Sequence, residues 1–204
     1  SLQVYLSGKD GEGAYLAGTT TGRSFEYTGD GAALVLPCRT LGAQSFPVGT
    51  ITAFWRGRVL VAQGSTLWAS RAAAPHLADW HDFRQMPAKI TAVQPVADGV
   101  YVGTEEDLTF LSGPTWDQMV FTTTARGPVV LGSAVPAPGH RIKLGDKVGS
   151  GTAMICIAGE KVVAGFSGGQ TESLTEDRYH TAVAEVCATF RDLNGVPQYI
   201  AVPQ

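Results

Sequence analysis

The sequence predicts an all-β chain assembled from repeated antiparallel units of about 40 residues, a spacing that suits stacked β repeats. Three observations lead there. Two segments can be laid over each other as strand, tight turn, strand, short turn, strand. The 25 glycines and 11 prolines are spread along the 204 residues instead of being pooled in a linker, which fits many short strands joined by turns. Apolar runs of strand length, bounded by turn residues, recur where a helix would need a longer periodic stretch.

The first unit, 1–50, is the loosest. Leu2-Gln-Val-Tyr-Leu6 and Gly13-Ala-Tyr-Leu-Ala17 read as strands, and Arg23-Ser-Phe-Glu-Tyr27 is expected to close it. The second, 51–88, runs through Ile51-Thr-Ala-Phe-Trp55, Arg56-Gly57, Arg58-Val-Leu-Val-Ala62 and Thr66-Leu-Trp-Ala-Ser70. The third, 89–125, matches it with Ile90-Thr-Ala-Val-Gln-Pro-Val96, Asp98-Gly99, Val100-Tyr-Val-Gly103 and Leu108-Thr-Phe-Leu-Ser112. Asp98-Gly99 reads as the centre of a two-residue hairpin turn, where positive φ favours Asp and Gly. Residues 126–150 are rich in turn residues, including Pro128, Pro136, Pro138 and Gly139, and read as an irregular connection. The last unit, 151–204, holds strands over Thr152 to Ala158 and Lys161 to Phe166, then Gln170 to Leu174 and a terminal hairpin turning at Asn194-Gly195. In that hairpin Val186, Ala188 and Phe190 alternate with Thr189 and Arg191, which predicts one covered face. Val59 to Ala62 and Ile155 to Ala158 are apolar at successive positions, which predicts strands covered on both faces. Together these elements describe one domain, a β-propeller-like array of about four antiparallel blades, open or partial.

Net charge is −3, and no run of Lys or Arg tracks a phosphate backbone, so nucleic-acid readout is not expected. No apolar run approaches the ~18 residues of a membrane-spanning helix, so a soluble protein without a membrane span is expected. The opening Ser1-Leu2-Gln3-Val4-Tyr5 has neither an initiator Met nor a targeting pattern, which points to processing or to a piece of a longer chain. Cys38, Cys156 and Cys187 are odd in number and far apart, so they read as buried free thiols and not as a disulfide or zinc framework.

Several motifs carry a resemblance. They are Phe54-Trp55-Arg56-Gly57-Arg58, the stretch around Pro75-His76-Leu77, Asp82-Phe83-Arg84-Gln85, the hairpin Asp98-Gly99-Val-Tyr-Val-Gly-Thr104, and the closing Leu174 to Tyr179 and Gly195 to Ala201. In these the chain resembles virion structural proteins of tailed bacteriophages and prophages, in particular propeller-like proteins of the tail hub and nozzle type. The resemblance implies a protein without enzymatic activity or cofactor that works in the virion tail, assembled in the host cytoplasm by contacts with copies of itself and other phage tail proteins. A complete propeller of that type would carry more units than this chain.

Residues capable of chemistry are few. His76, Asp79, His81 and Asp82 are the densest group, but their spacing matches no metal motif. They read as pins for an excursion between two strands, with Trp80 and Phe83 packing onto the sheet. Glu105, Glu106 and Asp107 sit at a hairpin tip, where a solvated turn is the simplest account, and Glu172, Glu176 and Asp177 form a looser acidic patch. Lys9-Asp10-Gly11-Glu12-Gly13 lies between strands with no helix after it and reads as a loop, not a phosphate cradle. The repeated Ser-x-Asp-x-Gly-x-Thr-Trp turn of propeller sialidases is absent, and Thr115-Trp116-Asp117 has no second copy. The expected interaction surface is Glu105, Glu106, Asp107, Trp116, Arg126 and Arg141: rim charges that set register between subunits, and a Trp116 free to stack. A carbohydrate-binding or adhesin-like module contacting host surface glycans through exposed Trp, with Trp116 as its test, and the acidic loops is the competing reading.

Overall fold

A computed structural model describes residues 1–7, 13–29, 34–144, 147–176, 178 and 180–204. Among them the chain is all-β: twenty strands and two single 3-10 turns, with no α-helix. It divides into two compact units, Ser1–Gln44 and Ser45–Gln204. In the first, β1 (Leu2–Ser7) pairs antiparallel with β2 (Ala14–Thr20). The segment at Pro37 adds to β2, with the Leu16 amide donating to the Leu36 carbonyl at 2.8 Å. Arg23 to Tyr27 forms no strand; Phe25 instead lies against Gly18, where an added Cβ would meet its ring at 2.8 Å. β3 (Ala43–Ser45) falls at the boundary of the two units.

The second unit contains three four-stranded antiparallel sheets in sequence order. The first sheet is β4 (Ile51–Trp55), β5 (Arg58–Gln63), β6 (Thr66–Ala69) and β8 (Phe83–Gln85), with the short β7 (Leu77–Asp79) in the connection before β8. The second is β9 (Ile90–Pro95), β10 (Gly99–Thr104), β11 (Asp107–Ser112) and β12 (Val120–Arg126). The third is ordered β13 (Val135–Pro138), β16 (Thr152–Ala158), β17 (Lys161–Gly165) and β18 (Thr171–Ser173), with the two-residue strands β14 (Lys143–Leu144) and β15 (Lys147–Val148) paired beside it. The hairpin of β19 (Val186–Leu193) and β20 (Val196–Pro203) closes the chain.

Apolar cores lie between successive sheets. Leu60, Ala62 and Leu67 of the first meet Val93, Val100 and Leu111 of the second. On the opposite face of the second, Tyr101, Leu108 and Phe110 meet Met154, Cys156 and Val163 of the third. The far face of the third sheet, with Ile155 and Ala164, then packs on Phe190 and Tyr199 of the hairpin, while Ile157 meets Val186. Strand alternation explains the arrangement, because adjacent residues point to opposite faces and each middle sheet must be apolar on both. The alternation of Val186, Ala188 and Phe190 falls on the covered face of the hairpin, in agreement with the sequence.

Three further features differ from the sequence reading. Part of 126–150 is ordered sheet: β13 pairs with β16 in the register Val135↔Ile155 and Ala137↔Ala153. Pro136 and Pro138 are tolerated because β13 is an edge strand and they point outward, so the prolines hid a strand that Ala137 buries. The β9–β10 turn centres on Ala97 and Asp98, closed by the Val96 amide on the Gly99 carbonyl at 2.9 Å, and Gly99 has no positive φ. Gly99 is required by space, since a Cβ there would stand 2.4 Å from the Leu111 carbonyl oxygen. Finally, β16 is covered on both faces, but β5 is covered by a sheet on only one. The face that carries Val59 also carries Phe54, which is 68 % exposed.

Candidate interaction surface

The acidic hairpin tip is built on Thr104, which is fully buried. Its Oγ1 accepts the amides of Glu106 and Asp107 at 3.2 and 3.0 Å and donates to the Asp107 carboxylate at 3.0 Å. Asp107 therefore shapes the turn, while Glu105 reaches Lys89 at 3.7 Å on the exposed surface. Arg126 lies opposite Asp107 in the β11–β12 register, and the two border an open cleft of about 550 Å³ with Glu106 and Thr123. The fold thus gathers Glu105, Glu106, Asp107 and Arg126 at one edge of the second sheet.

The other two residues of the expected surface lie elsewhere. Arg141 is committed inside the chain, its guanidinium 2.6 Å from the Asp192 carboxylate of β19. Trp116 is 1 % exposed and belongs to the core between the first and second sheets. The 3-10 turn Trp116–Gln118 drives its indole inward, and the Arg84 guanidinium covers the ring at 5.1 Å from its centroid. Flanking Pro114 and Asp117 suggested a surface turn, but the core decides where the ring goes.

Among the described residues the exposed aromatics include Phe54, Phe83, Phe121 and Trp80, the last 69 % exposed on the β7–β8 connection and edge-on to His81. Trp80 does not pack on the sheet as the sequence suggested; Phe83 does, against Trp68 at 5.2 Å between centroids. Phe54 was missed because its neighbours in β4 and β5 look like core. The thiols also divide: Cys156 is buried, with its pKa pushed up to about 12 by burial, whereas Cys187 is exposed and so departs from the expectation of burial.

The group 76–82 is consumed by ion pairs. Arg58 donates to the Asp82 carboxylate at 2.8 Å and to the Ser70 carbonyl at 2.7 Å, and Asp82 is 3 % exposed. Arg71 Nε donates to Asp79 at 2.8 Å. Among the described residues no group of three or more His, Cys, Asp or Glu side chains is arranged to hold a metal ion. Gly165-Phe166-Ser167-Gly168-Gly169 matches the Gly-x-Ser-x-Gly spacing of a nucleophile elbow, but it joins two strands with no helix after it. Lys9 to Glu12, Asp177 and Tyr179 lie outside the described residues.

Asp79 gives a pH test of the pinning. The hydrogen bond from Arg71 holds its carboxyl below the usual value of 3.8, against the opposing effect of burial. The unfolded chain then binds more protons than the folded one between the two pKa values, so stability rises with pH there. The contribution is complete above pH 3.8 and is lost as pH falls through the depressed folded value. Asp79→Asn is expected to lower stability by about 1 kcal/mol at pH 7. In urea titrations the difference from the parent should shrink as pH drops below 3.8, and a difference independent of pH would contradict the pairing.

Polar links also run from each sheet to the next. Arg56, in the β4–β5 turn, donates to the carbonyls of Gly113 and Pro114 in the β11–β12 connection, each at 3.1 Å. Asp98, in the β9–β10 turn, accepts the Gly168 amide of the β17–β18 connection at 2.7 Å. The Glu160 carbonyl, in the β16–β17 turn, accepts the Thr181 amide at 2.9 Å on the approach to the hairpin. Tyr101 reinforces the second link, its hydroxyl donating to the Phe166 carbonyl at 2.7 Å, and burial raises its pKa. No helix among the described residues is long and apolar enough to cross a membrane. No protein-family model matches the chain, and no curated protein matches it.

Proposed function

We propose that this chain is a structural component of a tailed-phage particle, of the hub or nozzle kind, and that it acts by protein–protein assembly. One observation carries the reading: three four-stranded antiparallel sheets follow one another in sequence order, joined by cores and by turn-to-connection links, and the Phe54 ring is left exposed on the outer face of the first. Sheets ordered in this way are what an open propeller-like array of blades would contain, and uncovered apolar faces mark protein contacts more often than reaction sites. The carboxylates that could have served chemistry are engaged in turns and ion pairs, Asp79 with Arg71, Asp82 with Arg58 and Asp107 with Thr104. Glu105, Glu106 and Arg126 remain as charges able to set register with a neighbouring tail protein.

The glycan reading loses Trp116, which is buried; the exposed Trp80 and the acidic loops are left to it. The test of the assembly reading is mass analysis of purified particles from the source lysate. The chain is expected in them at a fixed ratio to the other tail proteins. Its absence from intact particles would overturn the reading.

A further inference from the structure

The three four-stranded sheets end on strands of unequal length. β8 and β18, the last strands of the first and third sheets, have three residues each, and edges that short give a foreign strand little to pair with. The opposite edge of the third sheet, β13, carries Pro136 and Pro138, which donate no hydrogen bond. β12 has seven residues, Val-Phe-Thr-Thr-Thr-Ala-Arg, and lacks both protections. It is β-branched or aromatic without interruption from Val120 to Thr124, and its first charge is Arg126. β11 is its one neighbour in the sheet, so alternate residues turn a backbone N–H and C=O outward. The side chains are open too, Val120 being 61 % and Phe121 44 % exposed. Phe121 lies opposite Leu111 and Val120 opposite Ser112, so the two stand on opposite faces of the sheet.

This open edge has a defined extent and a defined charge pattern. The register shifts between Leu108 and Thr109, which leaves Thr124 as the extra residue of a bulge, and the Thr171 hydroxyl donates to the Thr124 carbonyl at 3.2 Å. Bulges end strand pairing, so the stretch left for a partner is Val120 to Thr123. The cleft of about 550 Å³ along Thr123 to Arg126 keeps its flank clear. Asp117 is exposed in the 3-10 turn before the strand, Arg126 is exposed at its end, and residues 118–125 between them are uncharged. Opposite signs at the two ends make the edge complementary to its own reverse. An antiparallel second copy sets Asp117 toward Arg126 twice, whereas a parallel copy would set like against like.

We propose that β12 pairs with β12 of a second copy, antiparallel about a two-fold axis between Phe121 and Thr122. Val120 then lies opposite Thr123, Phe121 lies opposite Thr122, and the two second sheets join into one. Asp117 and Arg126 stand equally far along the chain from that axis, so Arg126 of each copy meets Asp117 of the other. Both copies use the same surface, so the contact closes at a dimer. This inference rests on the assembly reading and names a partner and a surface for it.

The test uses the full chain. Sedimentation velocity over a concentration series should show a monomer–dimer equilibrium with nothing larger. Asp117→Arg and Arg126→Asp, each alone, should weaken dimerisation at least about tenfold, since like charges then face each other. An equimolar mixture of the two variants should regain the dimer, because each copy supplies the charge that the other lacks. Val120→Lys, at an exposed position, should also weaken the dimer at least about tenfold, as a lysine on an edge strand disfavours pairing. It keeps the test decisive should Arg126→Asp, which lies opposite Asp107, lower the melting temperature. Hydrogen exchange should show amides within Val120 to Thr123 gaining protection as the concentration rises. A monomeric parent, a dimer that leaves those amides unprotected, charge variants that associate like the parent, or a mixture that does not recover overturns the proposal. An extended segment of a different protein as the occupant would leave the parent monomeric, which also overturns it. A monomeric chain that is nonetheless found in particles would sink this inference and leave the assembly reading standing.

Discussion

Trp116→Ala is expected to lower the unfolding free energy by about 3–5 kcal/mol, the cost of removing a large aromatic from a packed core. The indole is almost fully enclosed among Val100, Leu111 and Met119, and it is roofed by Arg84. Truncation removes that packing and leaves Arg84 its bonds to the Trp116 and Phe83 carbonyls, since the backbone survives. The indole Nε1 has no hydrogen-bond partner, so none is lost with it. Urea denaturation with the m-value held as a check on two-state behaviour would measure the effect. A loss below about 1 kcal/mol would mean that the ring is at the surface. The size of the expected effect also governs any binding experiment at this position: glycan or partner binding lost in Trp116→Ala reports a disturbed core between the first two sheets, not a severed contact.

Gly132→Ala should be nearly as damaging, for a different reason. Gly132 has φ of +75°, and a Cβ built there would stand 2.0 Å from the Val186 carbonyl oxygen. That carbonyl begins β19, and its own residue is held to the segment before β13 by the Val186 amide on the Leu131 carbonyl at 3.0 Å. Left-handed backbone strain and a backbone clash add here, so a loss of at least about 2 kcal/mol is expected, with the hairpin loosened first. Gly195→Ala separates the two causes. Gly195 has a similar φ of +83° but nothing within 4 Å of its added Cβ, so only the strain of about 1 kcal/mol should remain. Hydrogen exchange would show the distinction, with β19 amides losing protection in Gly132→Ala while β16 keeps its own. Equal losses at the two glycines would contradict the close approach of Gly132 to β19.

Much of the architecture was legible in order. The matched runs 51–70 and 90–112 became the first three strands of two sheets, and Asn194-Gly195 became a hairpin turn, because local turn chemistry and strand-length apolar runs act over a few residues. The gathering of Glu105, Glu106 and Asp107 was legible too, being adjacent in sequence. Arg126 joins them only because β11 and β12 pair in the register Asp107↔Arg126.

What the sequence by itself determined is therefore the strand inventory and the alternation that gives the middle sheets two apolar faces. Burial of a given ring or edge is a different kind of property, set by what arrives from elsewhere in the chain. Trp116 went inside because the first sheet supplied Leu60, Leu67 and the roof of Arg84, whereas Trp80 stayed outside while its neighbours Ala78 and Asp82 went in. Val135-Pro136-Ala137-Pro138 became a strand because β16 offered an edge that needs no donor from either proline. Val59 and Ile155 lie in similar apolar runs, yet only the face of Ile155 is covered by a further sheet. Apolar alternation specifies that a face must be covered; only the tertiary structure decided which neighbour covers it, and on the outer face of the first sheet it buried Val61 and left Phe54 exposed.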